Sequence, residues 1–267
     1  MDTTLISIAA ISIYLLAGIL LFLRLKNSPK TVEKSRILLF AIAASLLHLS
    51  VLYQNTFTSH GIDIGFFSVF SLVGWLIALL LIVSSIKQPV ESLGIIVFPF
   101  AALSLAMREL NPEAHYLTNT LSVGLEFHIL ISILAYSMLS IAVVQAILLY
   151  IQDHQLRHRH PGGLIHALPP LETMENLLFS MIGLGFIILT ISLLSGLFYL
   201  DDILAQHLVH KTVLSLGAWL LFGILLWGRY QFGWRGRTAI RWTISGFTLL
   251  VLAYFGSKFV IELILHR

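Results

Sequence analysis

The sequence predicts an all-α protein, a bundle of about eight helices that cross a membrane. Of its 267 residues, 58% are hydrophobic and only 11% are charged, which leaves too few polar side chains to cover a water-facing globule. The apolar residues form eight runs, each long enough to cross roughly 30 Å of hydrocarbon. The basic residues fall mainly between these runs, as topology determinants do. We therefore expect a single integral membrane domain over residues 1–267 in a lipid bilayer. We expect no nucleic-acid partner, despite a net charge of +3.

The predicted spans follow one another with short connections. They lie near residues 5–23, 36–56, 64–86, 90–107, 122–151, 174–199, 211–231 and 239–263. The first run is not a cleaved signal peptide, because Asp2 stands where a basic segment is needed, and Arg24 and Lys26 follow the run. It is expected to remain as a helix. The longest connection, residues 152–173, contains Pro and Gly and is predicted to be an irregular loop on the inner side.

Orientation follows from the distribution of Lys and Arg. The segments after the first, third, fifth and seventh runs hold 12 of the 16 basic residues. The opposite side holds Arg108, Lys211, Lys258 and Arg267. The positive-inside rule therefore predicts that both termini lie on the outer side.

The eleven histidines divide between the two sides. Four of them, His154, His158, His160 and His166, belong to the inner loop. That tract could bind a metal, but a solvated basic loop is the favoured interpretation because no ligand spacing is fixed there. The other seven lie in outer loops or outer halves of helices: His48, His60, His115, His128, His207, His210 and His266. Their bias indicates one outward-facing site.

Four of these histidines are candidate site residues. His128 lies about six residues below the outer end of its helix, and His48 lies about thirteen residues into a helix that rises from the inner side. An imidazole inside a membrane tends to face a partner or a ligand. His210 and His266, at outer helix ends, could close over a site from above. The alternative for each is a histidine that only packs, bonded to a neighbouring helix.

The fifth run also places candidate neighbours beside His128. Residues four apart share a helix face, so Gly124, His128, Ser132 and Tyr136 are predicted to form one stripe. Glycine at position 124 would allow close approach of something flat.

Several segments together resemble the cytochrome c assembly family of heme-handling membrane proteins, which includes CcsA, CcmC and HemX. The likeness is strongest to the YpjD branch of this family and extends over nearly the whole chain from the second run onward. It rests on the order and spacing of GFFSVFSLVGW, FHILISILAYSMLSIAVVQAILL, PPLETMENLLF, SGLFY, HKTVLSLGAWLLFGILLWGRY, GWRGRTAIRW and YFGSK.

The resemblance implies roles for particular residues. His128 falls at the family's first outward heme-ligating histidine, His266 within about one position of the second, and His48 at an intramembrane histidine of CcsA-type members. Heme b held by His128 and by His266 or His210 is the implied cofactor, since two imidazoles give six-coordinate iron. A second intramembrane histidine is missing near Trp227, which argues against a second, deeper heme site.

One larger departure concerns the tryptophan-rich loop with which family members present heme. The corresponding segment reads DDILAQHLVHKT and contains no tryptophan. The resemblance therefore implies a heme-binding or heme-handling accessory protein of cytochrome c biogenesis or heme homeostasis, in a bacterial inner membrane. Heme and a second membrane protein are the expected partners.

Two other functions stay open at the level of sequence. They are a transporter component and a non-catalytic regulatory membrane protein without a cofactor. No enzymatic activity is assigned, and a conventional hydrolase is not expected, because no serine or acidic pair with a base is evident at workable spacing.

Overall fold

The predicted helices are present in a computed structural model, which describes residues 3–27, 33–58, 61–63, 65–111, 116–117, 122–158, 168–199 and 206–256. The described residues form eight long α-helices. These are α1 (Thr3–Asn27), α2 (Lys34–Thr56), α3 (Phe66–Lys87), α4 (Gly94–Leu110), α5 (Val123–Arg157), α6 (Leu171–Tyr199), α7 (Gln206–Phe232) and α8 (Gly236–Val251). By length and composition, each can cross a membrane, α4 together with the 3₁₀ turn before it and α8 with the π-helical segment after it. The all-α, eight-span prediction is confirmed.

Short elements complete the described chain. A 3₁₀ turn (Glu91–Leu93) precedes α4, and a π-helical segment (Leu252–Gly256) continues α8. Three small strands, β1 (Phe57–Thr58), β2 (Gly61–Asp63) and β3 (Tyr116–Leu117), pair antiparallel in that order. Phe57 pairs with Ile62, and Asp63 pairs with Tyr116. Sequence patterning does not predict strands this short.

Helix α5 is longer than its predicted span. It extends to Arg157, so the first residues of the predicted loop 152–173 are helical. In this extension, Oδ2 of Asp153 lies 3.5 Å from Nε of Arg237 at the start of α8. The connection that is predicted to lie on the inner side therefore begins later than the sequence predicts.

The chain divides into two compact units. The first comprises Met1–Thr120 and Gln155–Pro169, and the second comprises Leu121–His154 and Pro170–Arg267. The expectation of one integral domain over residues 1–267 stays a prediction.

Helices α1 to α4 pack around aromatic and small residues in the first unit. The Tyr14 ring on α1 is fully buried and lies 6.2 Å from the Phe98 ring on α4. Gly18 lets α1 approach Pro99 on α4. Because Gly74 on α3 has no side chain, the Ser104 side chain of α4 can fill that space. Small residues at such crossings let membrane helices pack closely.

Two sequence motifs of the second unit contact each other at the α7–α8 turn. This turn lies in GWRGRTAIRW, and Gly233 and Gly236 adopt positive φ angles of 65° and 52°, a conformation that glycine adopts without strain. The Gly236 N–H donates to Oε1 of Glu175 over 2.8 Å. Arg229 donates to Oδ1 of Asn176 over 3.2 Å. Glu175 and Asn176 belong to PPLETMENLLF, so this motif anchors the turn.

Candidate functional site

His128 is held by helix α6. Its Nδ1 lies 3.0 Å from the carbonyl oxygen of Ser192 and 2.9 Å from Oγ of Ser195. Ser195 itself donates to the Ser192 carbonyl over 2.8 Å. The imidazole of His128 is thus oriented by two serines that lie 64 and 67 positions further along the sequence.

These bonds determine which ring nitrogen of His128 carries the proton. A carbonyl oxygen only accepts, and the Ser195 hydroxyl already gives its hydrogen to that carbonyl. Nδ1 must therefore be the donor in both contacts, and a neutral imidazole then has its lone pair on Nε2. Nε2 makes no hydrogen bond to any of the residues that the structure describes. The half-buried ring thus offers one free basic nitrogen.

A serine pair extends this contact between α5 and α6. Ser132 donates to the carbonyl of His128 over 2.6 Å, and its Oγ lies 2.7 Å from Oγ of Ser192. Since the Ser132 hydrogen is used, Ser192 is the donor between the two hydroxyls. The backbone and the ring of His128 are therefore both tied to the same segment of α6.

Gly124, the first residue of the stripe, contacts an aromatic ring. A methyl group at Gly124 would overlap the Tyr199 ring, so glycine permits the close approach that the sequence predicts. The flat group is a side chain of α6. The motif SGLFY begins at Ser195 and ends at Tyr199. It therefore supplies the α6 side of the contact between α5 and α6.

Tyr136, at the far end of the stripe, bonds to helix α8. Its hydroxyl donates to the carbonyl oxygen of Leu250 over 2.5 Å. The ring lies 5.9 Å from that of Tyr254 and 6.3 Å from that of Phe255, both in the π-helical segment. In a π-helical turn the backbone N–H groups bond to carbonyls five residues back instead of four. This change leaves a carbonyl oxygen that can accept a hydrogen bond from a side chain of another helix. The predicted stripe thus links α5 to both α6 and α8.

His48 has a different environment within the first unit. It is fully buried, with Nε2 2.9 Å from Oγ of Ser71 and its ring 5.9 Å from that of Tyr14. Its Nδ1 has no hydrogen-bond partner among the described residues. This environment is the helix-to-helix packing that the sequence offers as the alternative role. Residues His48 and His128 belong to different units.

Of the two remaining predicted ligands, the structure describes His210 and not His266. His210 is exposed in the first turns of α7 and makes no hydrogen bond or ion pair with described residues. His266 lies outside the described residues, as do His60 and His115. Within the described ranges, no group of three or more His, Asp or Glu side chains could hold a metal ion.

Sequence reasoning missed the partners of His128. Ser192, Ser195 and Tyr199 recur at spacings of three and four, which places them on one face of α6. That spacing was the available signal, but serine is common in membrane helices and spacing alone does not identify the helix that it faces.

Arg108 is engaged in an ion pair within the first unit. Its side chain is 12% exposed and lies 3.6 Å from Oδ2 of Asp63, whose side chain is fully buried. Asp63 also accepts from the Gly65 N–H over 2.9 Å and from the Ser68 hydroxyl. The arginine thus joins α4 to the end of β2, where Asp63 also bonds to the start of α3. Lys211 lies over the Tyr254 ring, 5.9 Å from its centroid.

Comparison with known proteins gives a consistent result. The family model described as cytochrome C assembly protein matches residues 37–265. The inner membrane protein YpjD of Escherichia coli K12 is 33% identical over 204 residues, which cover 76% of this chain and 77% of that protein. The cytochrome c biogenesis protein CcsA of Guillardia theta is 26% identical over 188 residues, 64% of this chain and 62% of the relative. No solved structure matches significantly.

Proposed function

Because this chain belongs to the cytochrome c assembly protein family, we propose that it is a heme-binding accessory protein of the bacterial inner membrane, with His128 as an axial ligand. The location follows that of the Escherichia coli relative, an inner membrane protein. The observation that carries the proposal is the bond from Nδ1–H of His128 to the Ser192 carbonyl, which leaves Nε2 as a base.

Iron-ligating histidines commonly show this arrangement. One ring nitrogen binds the metal while the other donates to a backbone carbonyl or another acceptor, which fixes the ring and raises its basicity. In this chain the Ser192 carbonyl and the Ser195 hydroxyl are those acceptors. A bound heme would supply redox-active iron. The residues of this chain would bind and orient it.

We propose His266 or His210 as the second axial ligand, as the resemblance implies. His210 belongs to the same unit as His128, and His266 lies outside the described residues. His48 stays a candidate from the resemblance only, because its bond to Ser71 and its complete burial support a packing role.

The accessory character follows from the composition of the outer segments. The segment DDILAQHLVHKT, residues 201–212, which includes the first turns of α7, has no tryptophan to form a platform for heme. We therefore propose that the chain binds heme in cytochrome c biogenesis or heme homeostasis, together with another membrane protein, and does not itself attach heme to an apocytochrome.

An absorption spectrum tests the proposal. The full chain, extracted in mild detergent and titrated with hemin, should give a Soret band that shifts on reduction. His128→Ala should abolish saturable binding. His154→Ala removes an exposed imidazole from the other end of the same helix and should leave the titration unchanged.

Two outcomes would reject the proposal. A wild-type chain that shows no saturable Soret band would exclude heme binding. Retention of the band in His128→Ala would exclude this ligand. A stable complex with another membrane protein and no chromophore would favour the regulatory alternative, and solute flux in liposomes without heme would favour the transporter alternative.

A further inference from the structure

The α7–α8 turn carries an aromatic cluster that ligation by His128 does not explain. Four rings contact one another in sequence: Trp227, Phe232, Trp234 and Trp242. The centroid distances are 5.4 Å, 6.3 Å and 5.4 Å along this series. Trp227 is 59% exposed and Phe232 is 61% exposed. We call these four residues the aromatic ladder.

Four arginines lie close in sequence to residues of the aromatic ladder, and they differ in their contacts. Arg229 and Arg237 are engaged, with Asn176 and Asp153 respectively. Arg235 and Arg241 each adjoin a ladder tryptophan in sequence and are exposed. Neither makes an ion pair or a hydrogen bond with any described residue. Two positive charges are thus left beside exposed rings.

We propose that Arg235, Arg241 and the aromatic ladder bind the headgroup of an anionic phospholipid. The position in the membrane indicates a lipid and not a soluble anion. Trp227 and Phe232 lie in the last turns of the Val209–Phe232 span, and the two arginines follow its end. Aromatic rings concentrate at the level where acyl chains meet headgroups, and cations just beyond that level meet lipid phosphates.

The two arginines and the exposed rings suit different parts of an anionic phospholipid. A guanidinium donates two parallel hydrogen bonds to a phosphate, which an ammonium group cannot do. The exposed faces of Trp227 and Phe232 can pack against the glycerol and upper acyl region of the same lipid. The anchoring of the turn by Glu175 holds the arginines near the ladder. A negative headgroup is required, because a zwitterionic lipid would leave the two charges without net compensation.

Native mass spectrometry of the full chain in detergent tests this site. Phosphatidylglycerol and phosphatidylcholine are the two probes. The wild type should bind phosphatidylglycerol more tightly, and Arg235→Gln with Arg241→Gln should weaken that binding about tenfold or more while leaving phosphatidylcholine unchanged. Replacing both arginines by lysine should give an intermediate loss.

The control removes two charges elsewhere on the same predicted side. Arg36→Gln with Lys87→Gln affects exposed residues of the first unit and should change phosphatidylglycerol binding less than about twofold. An equal loss in the control would show diffuse attraction and overturn the proposal. Unchanged binding in the Arg235→Gln, Arg241→Gln variant would do the same.

A second measurement needs no variant. In nanodiscs, brominated phosphatidylglycerol should quench tryptophan fluorescence more than brominated phosphatidylcholine at the same mole fraction. Equal quenching by both lipids would contradict selective binding at the ladder.

Discussion

At the scale of single residues, the bonds to His128 matter more than its position in the membrane. An imidazole on a lipid-facing surface would have no defined tautomer. Here Ser192 and Ser195 hold Nδ1–H, so Nε2 is available as a base. His48 shows the contrast, because its Nε2 is the nitrogen that is bonded and its Nδ1 is enclosed in the first unit.

Ser195→Ala should weaken hemin binding roughly tenfold without abolishing it, since the Ser192 carbonyl remains as an acceptor and lost outer contacts of ligating histidines cost about this much. This expectation rests on the proposed ligand role of His128. The measurement is a hemin titration followed at the Soret band. Ser180→Ala removes an exposed hydroxyl from the same helix and should leave the affinity unchanged.

Asp63 is expected to stabilise the first unit through its buried ion pair with Arg108. Asp63→Asn keeps the shape but leaves Arg108 without its buried partner, and breaking such a pair costs about 3 kcal/mol. Thermal unfolding of the detergent-solubilised chain, followed by circular dichroism, measures this loss. The control is Glu33→Gln, which breaks a pair that is 72% exposed on both sides and should cost under about 0.5 kcal/mol. Equal shifts in the two variants would contradict the buried role of Asp63.

At the scale of helices, one stripe of residues on α5 contacts both α6 and α8. Gly124, His128 and Ser132 contact α6, whereas Tyr136 contacts α8 and its π-helical segment. The stripe is thus a packed contact between helices of the second unit. Such a contact restricts where His128 can point.

Gly124→Ala should destabilise the second unit by about 1–3 kcal/mol, because the new methyl group would overlap the Tyr199 ring. Thermal unfolding in detergent measures the effect. Gly183→Ala on α6 is the matched control, since no atom lies within 4 Å of the added carbon. Adding Tyr199→Ala to Gly124→Ala should relieve the overlap, and a double variant no more stable than the Gly124→Ala variant would contradict this explanation.

At the scale of the whole molecule, the positive-inside rule predicts both termini on the outer side. The chain has no cysteine, so single cysteines can report on each side without background. Ser122→Cys and His158→Cys place them near the two ends of α5, where both residues are exposed. In intact cells a membrane-impermeant maleimide should label Ser122→Cys only. Labelling of His158→Cys before permeabilisation would show that the chain has the opposite orientation in the membrane.

The sequence by itself determined the eight helices and the stripe on α5. Backbone groups in lipid must be satisfied within the segment, so long apolar runs have to become helices, and the helical repeat then places residues four apart on one face. The tertiary structure decided which groups that face meets: Ser192 and Ser195, Tyr199 and the Leu250 carbonyl. It also decided that Arg108 pairs with Asp63. The physical reason is that these partners, 45 or more residues apart in sequence, are set by the packing of one helix on another, which local patterns do not encode.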